Sequence, residues 1–412
     1  MSERYPGGLI RKTPPTVTGP TGGEGGSAPG IWTLEEVAYY QKEGLWPKKI
    51  LPKETYGWGE NNNGQVGINS ITGVGNGVSS PTQVGSQDDW SSVSSGTHTL
   101  FIRSPGELYA VGYNFAGQVG DGTVISRSSP VQIGALTNWT QISSGNRLSA
   151  AIKDDGTLWT WGNGGQGRLG HNSTISKSSP TQVGALTDWA SVEAGGSACI
   201  AVKTDGSLWS WGYGLFAVLG QNNIIDYSSP VQVGALTNWS VASCGNTHAM
   251  AIKTDGTIWG WGFNLTGGPV GDNTTIGRSS PVQIGTLTNW SKVSAGTNFT
   301  GAIKTDGTLW MWGNGSDGEL GNNLNGSAAN RSSPVQVGAL TNWSNVQAGV
   351  DAAISIKTDG TLWTWGGAGN GQIGNNEILN VSSPVQIGTS NWSSIGTVSP
   401  ESRTRHALEK VV

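Results

Sequence analysis

A block of about fifty residues recurs seven times along this chain, each copy carrying one Ser-Ser-Pro and one Trp-Gly or Val-Gly step. The prolines stand at Pro81, Pro130, Pro180, Pro230, Pro281, Pro334 and Pro384. The steps stand at Trp58-Gly59, Val111-Gly112, Trp161-Gly162, Trp211-Gly212, Trp261-Gly262, Trp312-Gly313 and Trp365-Gly366. Self-similarity at that period belongs to propellers and solenoids. Function is therefore expected on loops and additions, because the repeated residues are occupied with folding.

One unit reads from Ser179 to Gly234. Thr181-Gln182-Val183-Gly184 and Trp189 to Gly195 alternate polar and apolar side chains, as half-buried strands do. Cys199-Ile200-Ala201-Val202-Lys203 meets Leu208-Trp209-Ser210-Trp211-Gly212 across Asp205-Gly206, a hairpin signal resting on glycine's tolerance of positive φ. Four antiparallel strands per unit, repeated radially, predict propeller blades and exclude parallel β-helices and helical solenoids.

The ends of the chain argue for closure. An Asp-Gly or Pro-Gly hairpin precedes six of the steps, but Trp58-Gly59 has only Glu54-Thr55-Tyr56-Gly57 before it. Conversely, the last unit runs from Trp392 to Lys410 and lacks a following strand. The Tyr56–Trp58 stretch is therefore expected to complete the C-terminal sheet, closing a seven-bladed ring without open edges.

These residues resemble the repeats of the RCC1 family: an aliphatic strand, an acidic-Gly turn, Leu-Trp-x-Trp-Gly and a Gly-Gln-Leu-Gly-like loop. The loop element is Gly64-Gln65-Val66-Gly67, Gly117-Gln118-Val119-Gly120, Gly167-Arg168-Leu169-Gly170, Gly318-Glu319-Leu320-Gly321 and Gly371-Gln372-Ile373-Gly374. Kelch glycines lie elsewhere relative to the tryptophans, and no Trp-Asp ends each unit as in WD40 repeats. The resemblance implies an all-β, seven-bladed propeller of four-stranded antiparallel blades over residues 51–412. Activity does not follow from it, because function lives in sites placed on a fold.

The chain has 66 glycines and 20 tryptophans, 12% charged residues and a net charge of -4, without the basic footprint nucleic-acid binders need. Eighteen tryptophans belong to the repeats. Each buried one hides about 150–250 Å², worth about 4–6 kcal/mol, which explains how glycine-rich sheets cohere. No long apolar run predicts a membrane span, and the N-terminus lacks the apolar core of a secretory signal. Cys199 and Cys244 fall at different positions of successive units and read as buried small residues rather than a disulfide.

No catalytic, metal or cofactor constellation is visible. His98, His248 and His406 share one repeat column with Leu148, Ala198, Phe299 and Ala352, which marks a packing position. His171 stands alone in a loop. The Asp-Gly turns, such as Asp154-Asp155-Gly156, lack the clustered oxygens calcium needs, and the glycine loops do not lead into helices. A non-enzymatic protein is expected.

Between the Trp-Gly step and Ser-Ser-Pro, the loops vary in length and share one edge of the ring, where recognition is usually placed. Tyr213, Leu215 and Phe216 form a candidate partner patch there. Residues 1–50 read as an extended arm with a short helix at about 33–43, capped by Thr33 and Glu36 and ended by Gly44 and Pro47. That helix offers Trp32, Leu34, Val37, Tyr40 and Trp46 for docking.

The arm, with Gly30-Ile31-Trp32-Thr33-Leu34, resembles N-terminal segments of tailed-phage structural proteins, particularly of marine and cyanobacterial viruses. That resemblance implies a virion protein assembled in the host cytoplasm, anchored through its arm to capsid or tail proteins. The propeller would then serve decoration or adhesion to a host-surface glycan or protein. The competing class is a cellular RCC1-like regulator, an exchange factor for a small GTPase or an adaptor. No clear insertion between blades is visible as the wedge such exchange factors use.

Overall fold

The computed structural model describes residues 23–24, 47–48, 53–73, 75–389 and 391–410. Met1–Leu51 and Pro52–Val412 form separate compact units. In the first, Gly23–Glu24 pairs in parallel with Pro47–Lys48. The expected helix at 33–43 and its docking residues Trp32, Leu34, Val37, Tyr40 and Trp46 lie outside the described residues.

The second unit contains seven sheets. Blades 1 to 6 are built from residues 90–132, 139–182, 189–232, 239–283, 290–336 and 343–386. Blade 3 shows the pattern: Trp189–Ala194, Ala198–Lys203, Leu208–Gly212 and Tyr227–Gln232 pair antiparallel in that order. The second strand, Ala198–Lys203, is buried throughout because neighbouring blades cover both its faces. That accounts for its unbroken apolar character, where a half-exposed strand would alternate.

The Ser-Ser-Pro strand corrects the phase read from sequence. Lys177–Gln182 pairs with Leu158–Gly162, so it is the outer strand of blade 2 and does not open blade 3. Each blade thus begins at the tryptophan after Gly-Ala-Leu-Thr-Asn or its variants. Blade 7 consequently joins two C-terminal strands, Trp392–Ile395 and Thr404–Lys410, to two N-terminal ones, Lys53–Gly59 and Val78–Gln83. Thr404–Lys410 pairs with Lys53–Gly59 over seven consecutive residues, closing the ring as expected.

The same register corrects the place of His406. His98, Leu148, Ala198, His248, Phe299 and Ala352 lie opposite Gly112, Gly162, Gly212, Gly262, Gly313 and Gly366, but the residue opposite Gly59 is Thr404. His406 therefore stands two positions further along. Lengthening of the preceding turn shifted the sequence alignment.

The cores lie between blades. One cluster joins Ile152, Leu158, Leu169 and Val183 of blade 2 to Trp189, Val192 and Trp211 of blade 3. Lys153, Lys203, Lys253, Lys304 and Lys357 cap five such junctions, each ammonium lying over two indoles.

Candidate functional site

The loops between third and fourth strands are rigidly held by the next blade. Gly117 sits at φ +83 where an added Cβ would meet Ser178 Cα at 2.6 Å, so only glycine permits that approach. The following indole then locks the loop: Trp161 Nε1 donates to the Gln118 carbonyl at 2.9 Å and Trp211 Nε1 to the Arg168 carbonyl at 3.0 Å. Trp261, Trp312, Trp365 and Trp58 repeat this on Val218, Pro269, Glu319 and Gln372. In blade 1, Val111 cannot donate, and the Gln65 carbonyl keeps only the Thr99 hydroxyl, whose counterparts Ser149 and Thr300 share their carbonyls with Trp161 and Trp312.

On this scaffold six of the seven loops expose an isoleucine near the outer end, Ile71, Ile125, Ile175, Ile225, Ile276 and Ile378, and the blades differ at the positions that follow the Gly step. The residue after the Trp-Gly or Val-Gly step is Tyr113, Tyr213 or Phe263 in blades 1, 3 and 4, but Asn163, Asn314, Gly367 and Glu60 elsewhere. Two residues further on, Phe115 is 71% exposed, Leu215 38% and Leu265 67%, while blades 5 to 7 carry Ser316, Gly369 and Asn62. Phe216, 41% exposed, meets Phe263 edge-on at 5.3 Å, and Phe115 packs on Tyr113 at 4.8 Å. Blade 2 supplies cations instead: the Arg147 guanidinium lies 5.6 Å from the Tyr113 ring centre.

Of the patch read from sequence, Leu215 and Phe216 are exposed and Tyr213 is half-buried, while Ala217 and Val218 beside them fill the space between blades. Phe216 and Ala217 adopt φ +66 and +59, a left-handed conformation that costs a side chain about 1–2 kcal/mol. Strain of this kind gathers at functional sites. Sequence reading missed Phe115, Leu265 and Arg147, although aligning the loops by the Gly step puts Tyr113, Tyr213 and Phe263 in one register and Phe115, Leu215 and Leu265 in another.

The lengthened turn of blade 7 also escaped it. Thr404 stands twelve positions after Trp392, against nine from Trp139 to Leu148. The chain leaves its own sheet and Thr397–Val398 pairs in parallel with Ser94 and Ser95 of blade 1. Thr297 Oγ1 of blade 5 donates to the Pro400 carbonyl, and Val350 N of blade 6 to the Ser402 carbonyl. Residues 397–402 thereby plug one end of the axial channel, on the side of the loop face.

Buried Arg405 anchors the plug through the carbonyls of Ser402, Thr404 and Ala352, and burial lowers its pKa to about 10. Below the plug, first strands of blades 1 to 6 line a cavity of about 270 Å³ with Ser94, Ser143, Glu193, Ser243, Ser294 and Gln347.

Other titratable groups serve packing. Burial lowers His98 and His248 to about 3, and their Nε2 atoms pair with Ser149 and Thr300 hydroxyls of the next blade. His406, lowered to about 4 by burial, lies between Ser95 Oγ and the Val66 carbonyl. Cys199 and Cys244 are free and buried, and burial raises both thiols. Asp155 takes the Thr157 hydroxyl and N–H, which hold its carboxyl low and mark it as a turn former. Among the described residues, no three His, Cys, Asp or Glu side chains group around a metal position.

Comparisons with known proteins agree with this architecture. The family profile of the RCC1-like domain matches residues 139–400, and that of the regulator of chromosome condensation (RCC1) repeat matches 54–102 and 105–152. The chain is 32% identical over 122 residues to the mitochondrial RCC1 domain-containing protein RUG3 of Arabidopsis thaliana. It is 29% identical over 99 residues to the Xenopus laevis regulator of chromosome condensation. These stretches cover 28% and 24% of this chain and 26% and 23% of the relatives, so about a quarter of each relative is spanned.

Human WBSCR16 superposes with a TM-score of 0.75 at 17% identity, over 87% of this chain and 99% of that one. Prp20p of Saccharomyces cerevisiae, described with its binding to Gsp1p and histones, gives 0.76 at 18% over 88% and 93%. The same yeast RCC1 bound to Kap60 gives 0.77 at 17% over 88% and 90%. With its profile matched over more than half the chain, its loops latched by the repeat tryptophans and its ring closed in seven blades, this protein belongs to the RCC1-like family.

Proposed function

We propose that the chain is a non-enzymatic RCC1-like regulator or adaptor that binds a protein partner through the loop face of blades 1 to 4. The observation that carries this reading is the arc of Phe115, Leu215, Phe216 and Leu265, flanked by Arg147, at loop positions where blades 5 to 7 carry Ser316, Gly369 and Asn62. Exposed apolar clusters rimmed by polar groups are where partners dock, and aromatics and arginine dominate binding energy there. Yeast RCC1 binding Gsp1p, histones and Kap60 supports a protein as ligand.

The virion reading rests on residues 1–50 alone. The family matches begin at residue 54 and favour the regulator or adaptor class.

Photo-crosslinkers placed at positions 115 and 216, with a control at Leu186 in the loop between blades 2 and 3 at the opposite rim, test the proposal in the native host. One protein captured from both loop-face positions and not from Leu186 is the expected result. Equal capture from all three positions would overturn it.

A further inference from the structure

Inward-facing side chains of the first strands form successive rungs down the channel. On the rung beside the plug, four serine hydroxyls accept a backbone N–H from the next blade. Ser94 takes Ser144 N at 2.8 Å, and Ser143, Ser243 and Ser294 take Ala194, Ala295 and Ala348 N at 2.9 Å. Blade 3 carries Glu193 at this rung. Its carboxyl receives the Ser143 hydroxyl at 3.3 Å, and among the described residues no ion pair includes it. Burial raises its pKa to about 7, and the Ser143 hydroxyl offsets this only in part.

The next rung outward holds Val241, Lys292 and Asn345, two residues earlier on their strands. Corresponding residues of blades 1 and 3 are Ser92 and Ser191, so the ammonium is peculiar to blade 5. Lys292 is likewise in no ion pair among the described residues. One cavity thus presents an unpaired carboxyl and an unpaired ammonium on rungs about 7 Å apart along the axis. Val241, level with Lys292, and Ala242 and Val293, one residue further along their strands, add apolar surface to its wall.

We propose that the plugged channel binds a small ω-amino carboxylate, its ammonium at Glu193 and its carboxylate at Lys292. Lys292 is exposed at the open side of the cavity and Glu193 lies deeper, so the opposed charges select a zwitterion over a simple amine or acid, each of which meets only one partner of opposite sign. The apolar part of the wall suits a methylene chain, and a cavity of about 270 Å³ excludes a folded partner. The plug closes the inner end, so the amine enters first from the mouth opposite the loop face.

Calorimetric titration of the full chain with 6-aminohexanoate, n-hexylamine and hexanoate tests this. Saturable binding of 6-aminohexanoate is expected, with each singly charged analogue at least about tenfold weaker. Glu193→Ser and Lys292→Ser, which install the residue other blades carry, are each expected to weaken it about tenfold while melting like the parent. Absence of saturable binding, equal affinity for hexylamine or hexanoate, or undiminished binding in either variant would overturn the proposal. The analogue comparison uses the unaltered chain, so the test survives a variant that fails to fold.

Discussion

Trp58 Nε1 donates to the carbonyl of Gln372, 3.1 Å away in space and 314 residues away in sequence. The same bond links each tryptophan-bearing blade to its predecessor, but here it also ties the two ends of the propeller together. The ring is therefore closed twice, by strand pairing within blade 7 and by an indole latch between blades 6 and 7.

Trp58→Phe keeps most of the packing but leaves a buried carbonyl without its donor, and is expected to cost about 1–3 kcal/mol. Trp58→Ala adds a cavity and is expected to cost about 3–5 kcal/mol. Urea unfolding monitored by fluorescence measures both. A Phe variant as stable as the parent would show that the latch contributes nothing beyond apolar contact.

Stability should peak near pH 6.5 and fall steeply below about pH 5. His98, His248 and His406 have folded pKa values of about 3, 3 and 4 against an ordinary 6.5, so the unfolded chain binds more protons and acid destabilises the fold. Glu193 and Glu319, raised to about 7 from 4.5 by burial, act oppositely: the folded chain holds their protons, and stability falls as pH rises through 7. Between pH 4.5 and 6.5 the groups partly cancel; below that the histidines act unopposed by the two glutamates, and Asp155 and the matching turn aspartates, whose carboxyls are held low, add to the acid loss. Melting temperatures across pH 3.5–8.5 test this, and a curve still rising at pH 8.5 would contradict it.

Lys153→Ala should destabilise more than Lys153→Met. The ammonium lies 3.7 Å from the Trp159 ring centre and 4.8 Å from that of Trp139, and the stem is buried. Losing the cation is expected to cost about 1 kcal/mol, and losing the stem a further 1–2 kcal/mol. Denaturant midpoints distinguish the two terms, and equal costs would assign the whole effect to packing.

Phe216→Asn should leave the melting temperature unchanged or raise it while abolishing partner capture from the loop face. Asparagine tolerates the left-handed conformation, as Asn172, Asn222 and Asn273 do elsewhere in these loops, so about 1 kcal/mol of strain is relieved. A clear fall in melting temperature would make Phe216 a packing residue and remove it from the proposed surface.

Repetition made the blade number, the strand type and the closure of the ring readable before any coordinates. Each copy repeats the same strand alternation and Asp-Gly turn, and the unmatched Tyr56–Trp58 and Thr404–Lys410 stretches supply each other's missing neighbour. The phase of the unit was not readable. Ser-Ser-Pro lies between two tryptophan strands, and local pattern cannot say with which of them its strand pairs.

The amino-acid sequence by itself determined a closed propeller whose interior is spent on tryptophan and glycine, because strand periodicity and turn chemistry are local and recur in every copy. Only the tertiary structure decided where chemistry accumulates. Thr397 to Ser402 plug the channel by bonding to blades 1, 5 and 6, and Glu193 and Lys292 share a cavity although they lie on separate blades. Phe115, Phe216 and Leu265 likewise fall on one side of the ring through the order of the blades. Such juxtapositions depend on distances between strands far apart in the chain, which no periodicity encodes.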